Sequence, residues 1–295
     1  MRNRIVAFSI LTLIGLGLSG CGLFRLEKRE AWRDQAEQAC LSQKAVQPTA
    51  YMSLTSKSID GPGACGMQHP FRIAALAEGS VGVKQKLTLA CPIIPQIDGW
   101  LDDVVKPAAM LYFGVPVVDL NAGSYSCRGR NNRRGAKLSE HSFGNAIDVM
   151  SFVLADGRTI SVERGWKGNP IEQNFLREVF IGACDRFATV LGPGSDVYHY
   201  NHLHLDLARH DPRGMRRICK PIVKFERRLD PALVATLKAQ ASGHDPVQDR
   251  YPTPGQTQYP VQSYTSSPGP GRGANVDNSD EPVPYDADLP PPGTE

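Results

Sequence analysis

Apolar and polar residues alternate strictly along residues 202–207, His-Leu-His-Leu-Asp-Leu. A period of two marks a strand with unlike faces, so the leucines turn to a core while His202, His204 and Asp206 share the opposite face. Further strand patterns are VPVVDL (115–120), AIDVMSFVLA (146–155) and RTISVE (158–163). The last two are separated by ADGR, whose Asp-Gly pair predicts a hairpin turn. Helical periodicity covers 95–114, with Trp100, Leu101, Val104, Val105, Ala108 and Leu111 in register, and Pro107 is expected to kink or split it. A stronger stripe covers 170–192, through Phe175, Leu176, Val179, Phe180, Ala183, Phe187 and Val190, with Gly192-Pro193 as its stop. Hairpin-joined strands with helices beside them predict an α+β fold: a small central antiparallel sheet with helices packed around it.

The two ends of the chain do not follow these patterns. Arg2 and Arg4 precede the apolar run IVAFSILTLIGLGL, which is short for a membrane span and reads as an export signal over residues 1–20. It ends in LSGC, which resembles the lipobox of bacterial lipoproteins. The resemblance implies cleavage before Cys21, lipidation of its sulfur and a membrane anchor there. Gly22, rather than Asp, favours the outer membrane over the inner in that pattern, giving a periplasm-facing lipoprotein of the cell envelope. Residues 21–39 are charged and read as a tether. From residue 241 to 295 the chain is rich in Pro, Gly, Ser, Gln and Asp. Too few large aliphatics remain there to offset the entropy of ordering, so this tail is expected to be disordered. One globular domain is left over residues 40–240.

Export changes how the cysteines read. Beside Cys21 stand Cys40, Cys65, Cys91, Cys127, Cys184 and Cys219. In an oxidising compartment an even set predicts up to three disulfides, with fifteen pairings open. None of the six stands in a C-x-x-C spacing, which argues against a structural zinc site built from them. The formal net charge of +3 is too small to imply nucleic acid. Two local basic runs, CRGRNNRRGAK (127–137) and RHDPRGMRRICK (209–220), keep anion binding open.

The chemistry concentrates in two segments. In LSEHSFGNAIDVMSF (138–152), Gly144 and Asn145 suit a turn, and a strand follows with Asp148 among apolar residues. A carboxylate there is costly unless paired or bound to a metal, and His141 lies on the loop just before it. In YHYNHLHLDL (198–207), His202 and His204 are about 7 Å apart along a strand, so one can ligate while its neighbour faces the substrate side. One histidine from this strand plus a histidine and an aspartate from the other segment make three protein ligands, the arrangement of a catalytic zinc with an open fourth position. A further histidine is then free to act as base. His69, His210 and His244 lack such context and are expected at the surface.

SEHSFGNAID fits S-x-H-x-x-G-x-A-x-D and resembles the zinc-binding segment of the LAS metallopeptidases, which include the D-Ala-D-Ala carboxypeptidases and the penicillin-insensitive murein endopeptidases. H-x-x-H-x-H at 199–204 is more similar to the endopeptidase version. The carboxypeptidases place Glu three residues before the ligand His, where this chain has Asn201. GSYSCRGRN, LSEHSFGNAIDV, FLREVFIGACDRFATVLGPGSD and HYNHLHLDLA together resemble the bacterial extensin-like C-terminal domain family over roughly residues 40–220. The resemblance implies a LAS-peptidase-like fold, with His141, Asp148 and His204 as ligands of Zn2+, His202 as base or as the group that polarises the tetrahedral oxyanion, and His199 as an auxiliary histidine. Asp206 has no ligand role in that pattern; on the same strand face it either holds a ligand imidazole from behind or pairs with an arginine, and Ser139 is a support behind the ligands. It also implies an arginine after Tyr125 that clamps a substrate carboxylate or stabilises an oxyanion. Arg128 and Arg130 both qualify by spacing, and Arg128 is preferred. The expected function is a zinc-dependent peptidase acting on peptidoglycan stem peptides or cross-links, a murein endopeptidase or DD-carboxypeptidase. The alternative is a non-catalytic peptidoglycan-binding lipoprotein that keeps the fold.

Overall fold

The computed structural model describes residues 28–241. The export signal, Cys21, the first part of the expected tether, His244 and the expected tail lie outside the described residues. The chain enters through helix α1 (Ala31–Ser42) and three short strands, β1 (Met52–Leu54), β2 (Ile59–Asp60) and β3 (Gly66–Met67). Two longer strands follow, β4 (Phe71–Leu76) and β5 (Val81–Leu89). Helix α2 (Ile94–Trp100) then runs through a π turn at Leu101–Val105 into α3 (Lys106–Phe113). Beyond lie β6 (Val117–Gly123), β7 (Ala146–Leu154), β8 (Thr159–Ser161), α4 (Val162–Gly165), α5 (Pro170–Cys184), β9 (Thr189–Leu191), β10 (Leu203–Asp206), β11 (Ile218–Lys220) and α6 (Pro231–Ala241).

The expected α+β class takes the form of helices on a large mixed sheet, which corrects the small antiparallel sheet. Among the described residues it holds nine strands in the order β1-β4-β5-β6-β7-β10-β9-β11, with β8 also paired to β7. Two pairs are parallel, β5 with β6 and β9 with β11. The helical stretch between β5 and β6 carries the chain back to the starting edge, and a crossover of that kind makes the next strand parallel. The pairing of β7 with β8 across Gly157 (φ 86) is antiparallel, as the Asp-Gly signal predicts. Strands β1, β4, β5, β9 and β11 escape the periodicity reading. Three of them are only three residues long, and β5 is interrupted by the exposed run Lys84–Lys86.

Two helix expectations need adjustment. Pro107 lacks the N–H that would bond back to residue 103; the helix widens into the π turn just before it and does not break. The 170–192 stripe ends at Cys184, and Thr189–Leu191 become β9. There β-branched Thr189 and Val190 gain ladder pairing, with Val190 opposite Leu205, and Val190 is fully buried. Tertiary pairing overrides the helical period.

The leucine face of β10 joins a core of Ile147, Val149, Phe152, Trp100, Phe175 and Phe180. Phe152 sits 6.0 Å from Trp100 and 5.2 Å from Phe175, ring to ring. All six described cysteines are paired, Cys40–Cys91, Cys65–Cys127 and Cys184–Cys219. Residues 31–39, expected in the tether, form most of α1. Arg33 and Glu37 of that helix are buried, and Glu37 accepts the backbone N–H groups of Gln68 and His69.

Candidate metal centre

His141 is placed by a short 3-10 turn, Glu140–Phe143. Ser139 precedes it and its Oγ accepts the His141 N–H at 3.4 Å. Gly144 closes the turn at φ 62, and a Cβ there would lie 2.9 Å from Ala90 N and closer still to the Met67 side chain. Only glycine meets both demands. Glu140 is buried at the wall of the site. Arg33 donates to both its oxygens at 2.7 Å, and Asn145 Nδ2 donates to Oε2 at 2.7 Å. The Arg33 guanidinium lies 3.8 Å from the Phe143 ring centre and 4.3 Å from that of Trp32. Ser142 Oγ, fully buried, accepts from Arg128 N–H and donates to the Arg128 carbonyl.

Strand pairing brings the second segment in. His204 on β10 stands directly opposite Asp148 on β7, and Gly123 on β6 flanks Asp148 on its other side. His204 Nδ1 lies 2.8 Å from Asp148 Oδ1, and His141 Nε2 lies 3.0 Å from Oδ2. The two imidazole nitrogens are 3.1 Å apart. His141, Asp148 and His204 thus form a group whose ligand atoms all lie within 4.8 Å of one another.

The outer nitrogen of each imidazole is occupied. His141 Nδ1–H donates to the Ser124 carbonyl at 2.6 Å, and His204 Nε2–H donates to Asp206 Oδ2 at 2.9 Å. Those bonds select the tautomer and turn the remaining lone pairs inward, which is how metal-ligating histidines are held. Ligands about 2.0–2.2 Å from a zinc lie roughly 3.3 Å from each other at tetrahedral angles, so the observed spacings need only a small outward adjustment. Two nitrogens, one carboxylate and a cleft beside them fit a zinc ion.

The electrostatics follow from the same contacts. Burial opposes ionisation of Asp148, but hydrogen bonds from His141 and His204 outweigh it and hold the carboxyl well below its usual range. Burial lowers His204, yet Asp148 and Asp206 on its two sides raise it to about 10, so with no metal bound its inward Nδ1 carries a proton that an incoming ion would displace. Burial raises Asp206, but the bond and charge of His204 together with bonds from Thr189 and the Ala208 N–H outweigh it and lower its carboxyl. His202 lacks such support. Burial pulls it down to about 4, only partly countered by Asp148, so its imidazole is uncharged at neutral pH.

His202 Nε2 lies 3.5 Å from Asp148 Oδ1, and its Nδ1 is 2.8 Å from Asn201 Oδ1. His199 stacks at a tilt 5.1 Å from His202 and bonds Asp196 at 2.7 Å. A cleft of about 470 Å³ opens over these groups. Arg128 and Arg130 both line it; Arg128 reaches Asp148 Oδ2 at 3.4 Å, while Arg130 is exposed on the rim. His210, expected at an unrelated surface, lines the cleft with its Nε2 2.8 Å from Thr189 Oγ1. The sequence reading missed Glu140, Ser142, Ser124 and Arg33. Glu140 carries a signal, a carboxylate inside the motif itself. Ser124 acts through a backbone carbonyl and Arg33 from 107 residues away, so neither leaves a local trace.

The model of the family described as Extensin-like protein C-terminus matches residues 38–220, more than half of the chain. No curated protein and no solved structure matches it.

Proposed function

The chain belongs to the extensin-like C-terminus family, and from that premise we propose that it is a zinc-dependent peptidase acting on peptidoglycan stem peptides or cross-links. The observation that carries this reading is the pair of outward bonds, His141 to Ser124 O and His204 to Asp206, which aim two lone pairs at the Asp148 carboxylate beside an open cleft. The segment S-x-H-x-x-G-x-A-x-D around these ligands is similar to that of the LAS metallopeptidases, and H-x-x-H-x-H favours endopeptidase cleavage of cross-links over carboxypeptidase trimming. His141, Asp148 and His204 would hold the ion. When bound, zinc supplies a Lewis acid that polarises an amide carbonyl and lowers the pKa of a water to about 7.

The protein's own groups divide the rest of the work. His202, uncharged and beside Asp148, takes up a proton from the attacking water and returns it to the leaving amine. Arg128 holds a substrate carboxylate or a developing negative charge at the edge of the centre. His199 buttresses His202. Ser139 holds the His141 backbone, while the Ser124 carbonyl and Asp206 keep the two ligand imidazoles in place. The reading of Cys21 as a lipidated residue places this domain on the periplasmic face of an envelope membrane, the outer one favoured, within reach of the cell wall.

The test is zinc content together with mass spectrometry of sacculus digests. Purified protein should hold about one zinc and release new muropeptides. His141→Ala should lose both. His202→Ala should keep the metal while hydrolysis falls about 10²–10⁴-fold. Bound zinc with no product change on any cell-wall substrate sinks the enzymatic claim and leaves a peptidoglycan-binding lipoprotein.

A further inference from the structure

Register across three ladders lines up one row of side chains on the cleft side of the sheet. Asp148 on β7 pairs with His204 on β10, His204 with Leu191 on β9, and Leu191 with Lys220 on β11. Residues directly opposite one another share a face of a sheet, and all four line the cleft of about 470 Å³. In the next row Asp206 pairs with Thr189 and Thr189 with Ile218, and these line it too. Cys219, between Ile218 and Lys220, turns to the other face and is bonded to Cys184 at the end of α5. Lys220 therefore projects from braced backbone. Neighbouring strands lie about 4.8 Å apart, so its Cα is roughly 10 Å along the row from that of His204.

This end of the cleft sets a positive charge beside an apolar floor. Leu191 and Ile218, both partly exposed, form the floor. Four carboxylates line the whole cleft, and each is engaged elsewhere: Glu140 by Arg33, Asp148 by His141 and His204, Asp206 by His204, and Asp196 by His199. None of them pairs with Lys220, which is exposed. His210 stands at the same end, occupied by its bond to Thr189 Oγ1. Arg128 lies against Asp148, and Lys220 lies two strands beyond His204, so a fixed cation flanks the histidine–aspartate group on each side.

We propose that Leu191, Ile218 and Lys220 form a subsite for a substrate residue whose aliphatic stem ends in a carboxylate. The stem lies on Leu191 and Ile218, and the Lys220 ammonium, on its flexible four-carbon chain, meets the carboxylate in a charge-assisted hydrogen bond. An extended residue spans about 3.3–3.6 Å, so roughly 10 Å puts this carboxylate within about three residues of the group formed by His141, Asp148 and His204. With Arg128 on the other side, the cleft selects peptides that carry negative charge on both flanks of the bond acted on. The proposal deepens the peptidase reading and rests on it only for the bond that is cut.

Equilibrium binding to the zinc-loaded full chain tests it, in the His202→Ala background so that the probe survives. The probe is the muropeptide pool released from sacculi by a muramidase, and the control is the same pool with its carboxylates converted to carboxamides. Lys220→Ala, at an exposed position, should weaken binding of the untreated pool about tenfold at unchanged zinc content. On the carboxamide pool it should change nothing. Lys220→Arg, which keeps the charge, should restore most of the affinity, and Lys220→Glu should lose more than Lys220→Ala. Equal binding with and without Lys220 overturns the subsite, as does a loss of the same size on both pools or no binding at all. Product analysis with His202 in place separates the two ideas. Cleavage at limiting substrate that Lys220→Ala leaves unchanged removes the subsite and keeps the peptidase, while charge-dependent binding without cleavage keeps the subsite and removes the peptidase.

Discussion

The two histidine-bearing segments are held in unlike ways. Residues 138–148 are gripped from a distance. Arg33 in α1 clamps Glu140, Arg128 clasps Ser142, and the Cys65–Cys127 disulfide ties the preceding loop to β3's entry. Residues 196–202 hold mostly onto themselves. Asp196 accepts from Tyr198 N–H, His199 N–H and the His199 ring, and Asn201 meets His202 next door. Val197, Tyr198 and Tyr200 are exposed by 78%, 45% and 56%. Only where the chain enters β10 does this segment join the sheet. The atoms that would hold a metal thus sit on braced backbone, and the histidines suited to proton transfer sit on a loop that can adjust around a substrate.

Removing the brace should have the largest effect. Arg33→Ala leaves Glu140 buried with only Asn145 as partner, and breaking a buried ion pair from one side costs about 3–5 kcal/mol. Denaturant unfolding should show a loss in that range, and Arg33→Ala with Glu140→Gln should lose less than Arg33→Ala alone. A cost under about 1 kcal/mol would mean the first segment is no more firmly held than the second.

Asp206→Asn sharpens the comparison where the second segment becomes rigid. It weakens the acceptor that turns His204 inward, and loss of such a support typically lowers metal affinity 10–100-fold. Zinc competition against a chromophoric chelator reads this directly. Unchanged affinity would show that β10 alone fixes the imidazole.

Asp196→Asn should have the smallest effect, and one that depends on pH. Burial raises the Asp196 carboxyl, but the bond from His199 and the backbone N–H groups outweigh it and lower its pKa below the usual 3.8. A carboxyl depressed in the folded state adds stability above its unfolded value, and that stability is lost as pH falls through the folded value. Asp196→Asn should therefore lower the melting temperature slightly at pH 7, by an amount that shrinks as pH falls below 3.8. A large drop at pH 7 would show that the loop is braced after all.

How much of this was legible in the sequence follows the reach of each contact. His141, Asp148, His204 and Asp206 converge as the motif spacing and the alternation at 202–207 imply, because strands fix which residues share a face. The leucine face of β10 is buried for the same reason. The α1 clamp, the parallel pairing of β5 with β6 and the end of α5 at Cys184 depend on partners far away in the chain. No local period encodes those. The even cysteine count announced disulfides, but only the fold chose three pairings out of fifteen.

Helix α1 carries a mechanical consequence. It is the first element of the described chain, fastened near its start by the Arg33–Glu140 ion pair and at Cys40 by a covalent link to Cys91. A pull applied at residue 28 loads the non-covalent fastening before the covalent one. Tension from the N-terminal side therefore arrives at Arg29, which bonds the Gly66 carbonyl in β3, and at the turn that carries His141 before it reaches the covalent link.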